Sequence, residues 1–194
     1  MITTLLTSTA VVTLAEIGDK TMLLAIVLAA KLKKPWAVVA GILAATILNH
    51  GLSALVGASV AGLLEARWFR IAVSLGFLAR AAWTLVPDSL DDDEEPTVTP
   101  GARGWLSAFT TTTLAFFLVE MGDKTQIATI ALAARYHDVL TVASGTTLGM
   151  MIADAPAVFL GDKLTRLIPL KLARLIAAAM FAVIGAWQLW GILA

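Results

Sequence analysis

Apolar residues run along this chain in long stretches, and the polar ones gather in the gaps between them. Six stretches, about 2–30, 36–64, 68–86, 105–134, 139–160 and 172–193, carry the ~20 mostly apolar residues with which a helix crosses hydrocarbon. Trp36, Trp68, Trp83, Trp105, Trp187 and Trp190 lie near the ends of these stretches, as an interfacial aromatic belt requires. The first stretch runs on to Ala30 with no basic start and no small-residue cleavage pattern, so it reads as a retained helix and not a signal peptide. LDDDEEPTVTPGARG, between the third and fourth, is acidic with Pro and Gly and reads as a solvated linker. The pattern predicts an all-α polytopic membrane protein with six transmembrane helices.

The polar interruptions repeat. LAEIGDKT at 14–21 and LVEMGDKT at 118–125 share six of eight residues, and 7–31 agrees with 111–135 at 12 of 25 positions. At this offset of 104, Gly41 meets Gly145, Gly57 meets Gly161, and His50 falls opposite Asp154. Leu and Ala match by chance in an apolar chain, but E-x-G-D-K-T does not. The predicted organisation is a three-helix repeat at 1–86, a cytoplasmic acidic linker at 87–104, and a second three-helix repeat at 105–194. Three crossings per half is odd, so the second half enters from the opposite face, an inverted repeat of the kind secondary transporters use. One set of loops holds Lys31, Lys33, Lys34, Arg103, Lys163, Arg166, Lys171 and Arg174; the other holds Arg67, Arg70 and Arg135. The positive-inside rule makes the richer side cytoplasmic, with both termini extracytoplasmic in a cell inner (plasma) membrane.

Composition narrows the chemistry. Hydrophobic residues make up 59% and charged ones 14%, against a usual charged fraction of about 25%. The net charge is zero and no basic tract is present, which excludes a nucleic-acid partner. The absence of cysteine excludes disulfides and thiolate metal sites. A metal must then be held by oxygen or imidazole, which favours hard or borderline ions.

A lone charge at the centre of a membrane helix costs roughly 2.5–3.5 kcal/mol on insertion scales, so the motif residues need a purpose. On a continuous helix Glu16, Asp19 and Lys20 crowd one side, as do Glu120, Asp123 and Lys124. If the two inverted halves bring these faces together, four carboxylates meet near the midplane. Four negative charges and the two lysines leave a deficit that one divalent cation or two protons neutralise equally. Competition between M²⁺ and H⁺ for one set of carboxylates is the physical basis of an exchanger, because each ligand must lose its proton to bind metal. Gly18 and Gly122 weaken a helix at the motif by about 1 kcal/mol relative to alanine.

The doubled E-x-G-D-K-T, in a chain of six spans, two halves and an acidic linker, resembles the GDT-type divalent cation/proton exchangers of the LysE-like transporter superfamily. That family includes bacterial manganese exporters and Golgi manganese/calcium–proton exchangers. The resemblance implies a transporter and not an enzyme, with Glu16, Asp19, Glu120 and Asp123 as metal ligands and no cofactor, Mn²⁺ or Ca²⁺ being the cargo. It implies efflux of Mn²⁺ driven by proton entry, with the bilayer around the chain and its oligomeric state, a homodimer included, left open. Two other classes fit the architecture: an intramembrane lipid-pyrophosphate hydrolase and a LysE-like amino-acid exporter. The first wants arginines at depth for an anionic headgroup, and the motifs hold lysines only. The second wants a partner for an organic carboxylate, which a net-negative site does not offer.

A second circle of polar residues surrounds the motifs. Lys20 and Lys124 are expected to tune the carboxylates. Thr21 and Thr125 are expected to back-bond to the preceding helical turn or to lend the site an oxygen. Asn49, His50 and Asp154 lie at membrane depth, where polar groups line sites by default, and His50 or Asp154 suits a proton relay. Gln126 replaces Met22 of the first copy, offering a neutral oxygen to the ion or a hydrogen bond to a neighbouring helix. Arg80 sits near enough to its helix end to anchor at the interface.

Overall fold

The computed structural model describes residues 1–62, 66–86, 104–161 and 170–193. The acidic linker, apart from its last residue, and Arg103, Lys163 and Arg166 of the topology count lie outside them. Every described element is helical: α1 (Ile2–Glu16), α2 (Lys20–Leu32), α3 (Pro35–Ser59), α4 (Arg67–Thr84), α5 (Trp105–Glu120), α6 (Lys124–Tyr136), α7 (Val139–Leu160) and α8 (Leu170–Leu193). Pro35–Ser59, Val139–Leu160 and Leu175–Leu193 are long and apolar enough to cross a membrane, and Ile2–Glu16 and Trp105–Glu120 are shorter apolar helices.

The continuous helices expected at 2–30 and 105–134 are not there. Each breaks inside its motif, so Glu16 and Glu120 end one helix while Lys20 and Lys124 begin the next. The cause is local. Ile17 and Met121 turn extended (ψ 113° and 118°), Gly18 and Gly122 adopt φ of 83° and 80°, and Asp19 and Asp123 are extended again (ψ 168° and 169°). Glycine alone takes that positive φ without steric cost. The helical side shared by Glu16, Asp19 and Lys20 therefore does not exist; the three are brought near one another by a bend. The α2 and α6 half-helices have 13 residues each, about 20 Å at 1.5 Å per residue, too short to span alone.

Burial mixes polar with apolar: Met22, Leu24, Leu28, Ile42 and Phe116 are buried together with Glu16, Asp19, Asn49, His50 and Asp154. The buried side of α3 carries Gly41, Ala45, Thr46, Asn49, His50, Ser53 and Gly57, while Leu43, Ile47, Leu48, Leu52, Leu55 and Val56 face outward. Small and polar residues inside with large apolar ones outside is how helices pack when lipid is the solvent. The tryptophans at the span ends are all exposed, as the interfacial belt requires.

The main packings come in matched pairs: α1 on α7 and α5 on α3, α2 on α7 and α6 on α3, with α3 against α7 and α4 against α8. Two glycines set the closeness of the first pair. A methyl at Gly41 would meet Thr112 Cβ at 2.7 Å and the Phe109 carbonyl at 2.8 Å; at Gly145 it would meet Ser8 Cβ at 2.8 Å and the Leu5 carbonyl at 2.8 Å. Each residue in the second set is 104 positions from its counterpart in the first, with Gly41 and Gly145 exchanged. The sequence offset is thus also a relation between contacts. Thr46 Oγ1 and Met150 Sδ, themselves 104 apart, meet at 3.1 Å where α3 and α7 cross.

Candidate metal site

Where the two broken helices pass each other, their acids converge. One oxygen each from Glu16, Asp19 and Asp123 lies within 4.8 Å of the others. Glu16 and Asp19 belong to the first motif and Asp123 to the second, so the cluster spans both halves. Glu120 completes the set: it is buried, and the charges of Glu16, Asp123, Asp19 and Asp154 all act on it. Lys124 crosses between halves to donate from Nζ to Asp19 Oδ1. The four motif acids therefore share one neighbourhood, and Lys124 is anchored there.

The broken geometry serves the charges. The N-termini of α2 and α6 start beside the acids with a positive dipole end and no side-chain cap bond, while the last carbonyls of α1 and α5, those of Glu16 and Glu120, accept from the Asp19 and Asp123 N–H groups at 2.9 and 3.1 Å. Such a junction sets positive helix ends beside the carboxylates, as the half-helix N-termini of broken transporter helices do toward anionic groups.

Thr21 and Thr125 do not back-bond, because the break removes the preceding turn they would bond to. Thr21 Oγ1 donates to Glu16 Oε2 at 2.6 Å and Thr125 Oγ1 to Glu120 Oε2 at 3.0 Å. Each hydroxyl reaches across the break and holds one oxygen of its motif glutamate. Among the described residues, Glu120 Oε1 and Asp123 Oδ2 find no hydrogen-bond partner, which leaves acceptor capacity facing the cluster.

The outer circle divides. Asn49 Nδ2 donates to the Phe117 carbonyl at 3.2 Å, tying α3 to α5. Asp154 is fully buried, within the field of Glu16 and Lys124, and among the described residues neither of its oxygens is bonded. His50 is fully buried beside the Thr146 backbone, and among the described residues neither ring nitrogen makes a hydrogen bond of full geometry. Gln126 Oε1 accepts from the Gly122 N–H at 2.9 Å, closing its own loop. Lys20 is half-buried, unlike Lys124. Arg80, on α4, is half-buried with its Nε unbonded among the described residues. The buried hydroxyls of Ser8, Thr46 and Thr112 escaped the residue-by-residue reading; the pairing of Ser8 with Thr112 at the repeat offset was the available signal.

The comparisons agree with this chemistry. The family described as divalent cation/proton antiporter GDT1 matches residues 4–92 and 108–194. A protein of Vibrio cholerae named "putative manganese exporter" is 43% identical over 88% of this chain and 82% of its own length. A GDT1-like protein of Synechocystis is 31% identical over 98% of both chains, and GDT1-like protein 5 of Arabidopsis thaliana is 29% identical over 92% of this chain and 91% of its own. No solved structure matches. With both motif-bearing halves inside the match, this chain is a member of the divalent cation/proton antiporter GDT1 family, a family of multi-pass transporters for which the metal ion is cargo and not cofactor.

Proposed function

We propose that this protein exports a divalent cation, Mn²⁺ before Ca²⁺, from the cytoplasm in exchange for protons, at a site formed by Glu16, Asp19, Glu120 and Asp123. The observation that carries the reading is the meeting of oxygens from both motif copies within 4.8 Å. An all-oxygen donor set suits Mn²⁺ or Ca²⁺, and the name of the Vibrio relative favours the first. Each carboxylate must be deprotonated to bind metal, so loading with M²⁺ releases H⁺ and the reverse loading restores it.

The membrane arrangement belongs to the same proposal. The six crossings are α1 with α2, α3, α4, α5 with α6, α7, and α8, in two inverted repeats at 1–86 and 105–194 joined by a cytoplasmic linker. Matched torsions at the two breaks and matched helix packings support the repeat. The excess of Lys and Arg in one set of loops supports extracytoplasmic termini in the plasma membrane.

The test is reconstitution in liposomes holding a pH dye, with Mn²⁺, Ca²⁺ and Mg²⁺ added in turn. Mn²⁺ should drive proton movement in the wild type and not in Glu16→Gln or Glu120→Gln. A two-for-one exchange should be insensitive to an imposed membrane potential. Proton movement that survives both substitutions, or that no divalent ion elicits, overturns the reading.

A further inference from the structure

Among the described residues, Lys124 is the one buried lysine or arginine. It opens α6 in the second half and donates to Asp19 Oδ1 in the first. The carboxylates whose field holds it are Asp19, Glu16 and Asp123. Those are the same three whose oxygens form the candidate metal cluster. An ammonium and a divalent ion are therefore assigned to one set of acids. They cannot share it: inside a low-dielectric pocket the repulsion is twice that of two unit charges at the same distance.

A displaced ammonium needs somewhere to go, and the fold supplies a place. Asp154, on α7, is fully buried with both oxygens unbonded among the described residues, and Lys124 lies within its field. A lysine is a compact charge on a flexible four-carbon stem, suited to moving between two acids.

We propose that Lys124 is a tethered cation with two seats, Asp19 and Asp154, and that a divalent ion enters the Glu16–Asp19–Asp123 cluster by driving the ammonium from the first seat to the second. This rests on the exchange reading of the cluster and adds to it a source of selectivity. A monovalent ion brings no more charge to the acids than the ammonium it would replace, and it must also shed water. A divalent ion brings twice as much. Lys124 thereby excludes Na⁺ and K⁺ by charge, a task that oxygen ligands alone do not perform.

The experiment is calorimetric titration of Mn²⁺ into the purified full-length chain at fixed pH, with and without Na⁺. Lys124→Met should bind Mn²⁺ about tenfold more tightly, a coupling of ordinary size between linked sites, and Na⁺ should become a competitor. Asp154→Asn should bind about tenfold more weakly, since the ammonium then has no second seat. The double variant should bind like Lys124→Met, because Asp154 matters only while the lysine is present. Lys124→Gln replaces the methionine variant if that one does not fold. An Asp154→Asn penalty that persists undiminished without the lysine overturns the second seat. Wild-type Mn²⁺ binding that Lys124→Met leaves unchanged or weakens overturns the competition while sparing the cluster. A folded wild type that binds no Mn²⁺ overturns the cluster and this inference with it.

Discussion

The two motif copies have nearly the same backbone and different surroundings. Their torsions agree within a few degrees from Ile17 to Asp19 and from Met121 to Asp123, and the helices that follow both end in left-handed residues, Lys33 and His137, at φ of 54° and 52°. Yet Gly18, Asp19 and Met22 are buried, while Met121 and Gly122 are exposed and Asp123 and Gln126 half-buried. The lysines reverse this order, Lys124 being buried and Lys20 half-buried. The difference comes from neighbours. Ala15, just before the first break, packs with Phe77, Ala81 and Phe181 of α4 and α8. Its counterpart Val119 is half-buried against other helices. Local sequence sets the bend twice; the α4/α8 pair covers the first copy just before its break and meets the second farther along α6, at Ala131.

The comparison breaks most sharply at the glutamates. Glu16→Gln and Glu120→Gln should each lower Mn²⁺-driven proton flux by about 100-fold or more, since even residues behind metal ligands cost about 10–100-fold. Near-normal flux in either variant would mean that the copies do not feed one pocket. The aspartates should differ in stability. Asp19→Asn removes the carboxylate to which buried Lys124 donates, and a hydrogen bond to a charged group is worth about 1.5–3 kcal/mol; Asp123→Asn, at a half-buried position, should cost well under half of that. Thermal unfolding in detergent reads both, and equal losses would erase the asymmetry.

The glycines come next. Alanine at Gly122 has open space around it and pays only for the left-handed backbone, about 1–2 kcal/mol. Alanine at buried Gly18 must also be accommodated and should cost more by the same measurement. Gln126→Met, which copies Met22, returns the exposed Gly122 N–H to water and should cost less than about 1 kcal/mol. The smallest effect lies at the starts of α3 and α7. Lys34 caps α3 without a side-chain bond, whereas Asp138 caps α7 by accepting from the Thr141 N–H at 3.1 Å. Hydrogen bonds from the Thr141 side chain and backbone hold the Asp138 carboxyl below its usual range. The folded chain therefore takes up that proton later than the unfolded one. The stabilisation is present above the ordinary Asp value and is lost as pH falls through the lowered one. Asp138→Ala should leave flux unchanged and lose its small stability deficit in acid, a difference two melting curves would show.

The helices and the site were unequally legible. The ends of α4, α7 and α8 fall within two residues of the limits of their apolar stretches, because in lipid an apolar run has no alternative to a helix. The breaks were not legible as breaks. A glycine within an apolar stretch is compatible with a continuous membrane helix as well as with a bend, and only the surrounding helices supply the contacts that stabilise the bent form. The threonines show the same limit. Thr21 and Thr125 were marked as polar neighbours of the lysines, but their bonds to Glu16 and Glu120 exist only once the chain has turned between them.

By itself the sequence determined that this chain belongs in a membrane, that it carries a doubled unit, and that each unit sets the same acids inside an apolar stretch. Those conclusions follow from composition, from a repeat too specific for chance, and from the free energy of putting charge into hydrocarbon. The tertiary structure decided which acids gather, that Lys124 crosses to Asp19 and which motif copy is the more buried. Such facts depend on how α1, α3, α5 and α7 cross and where α4 and α8 settle, and distances between residues about a hundred positions apart are set by packing and not by any local pattern.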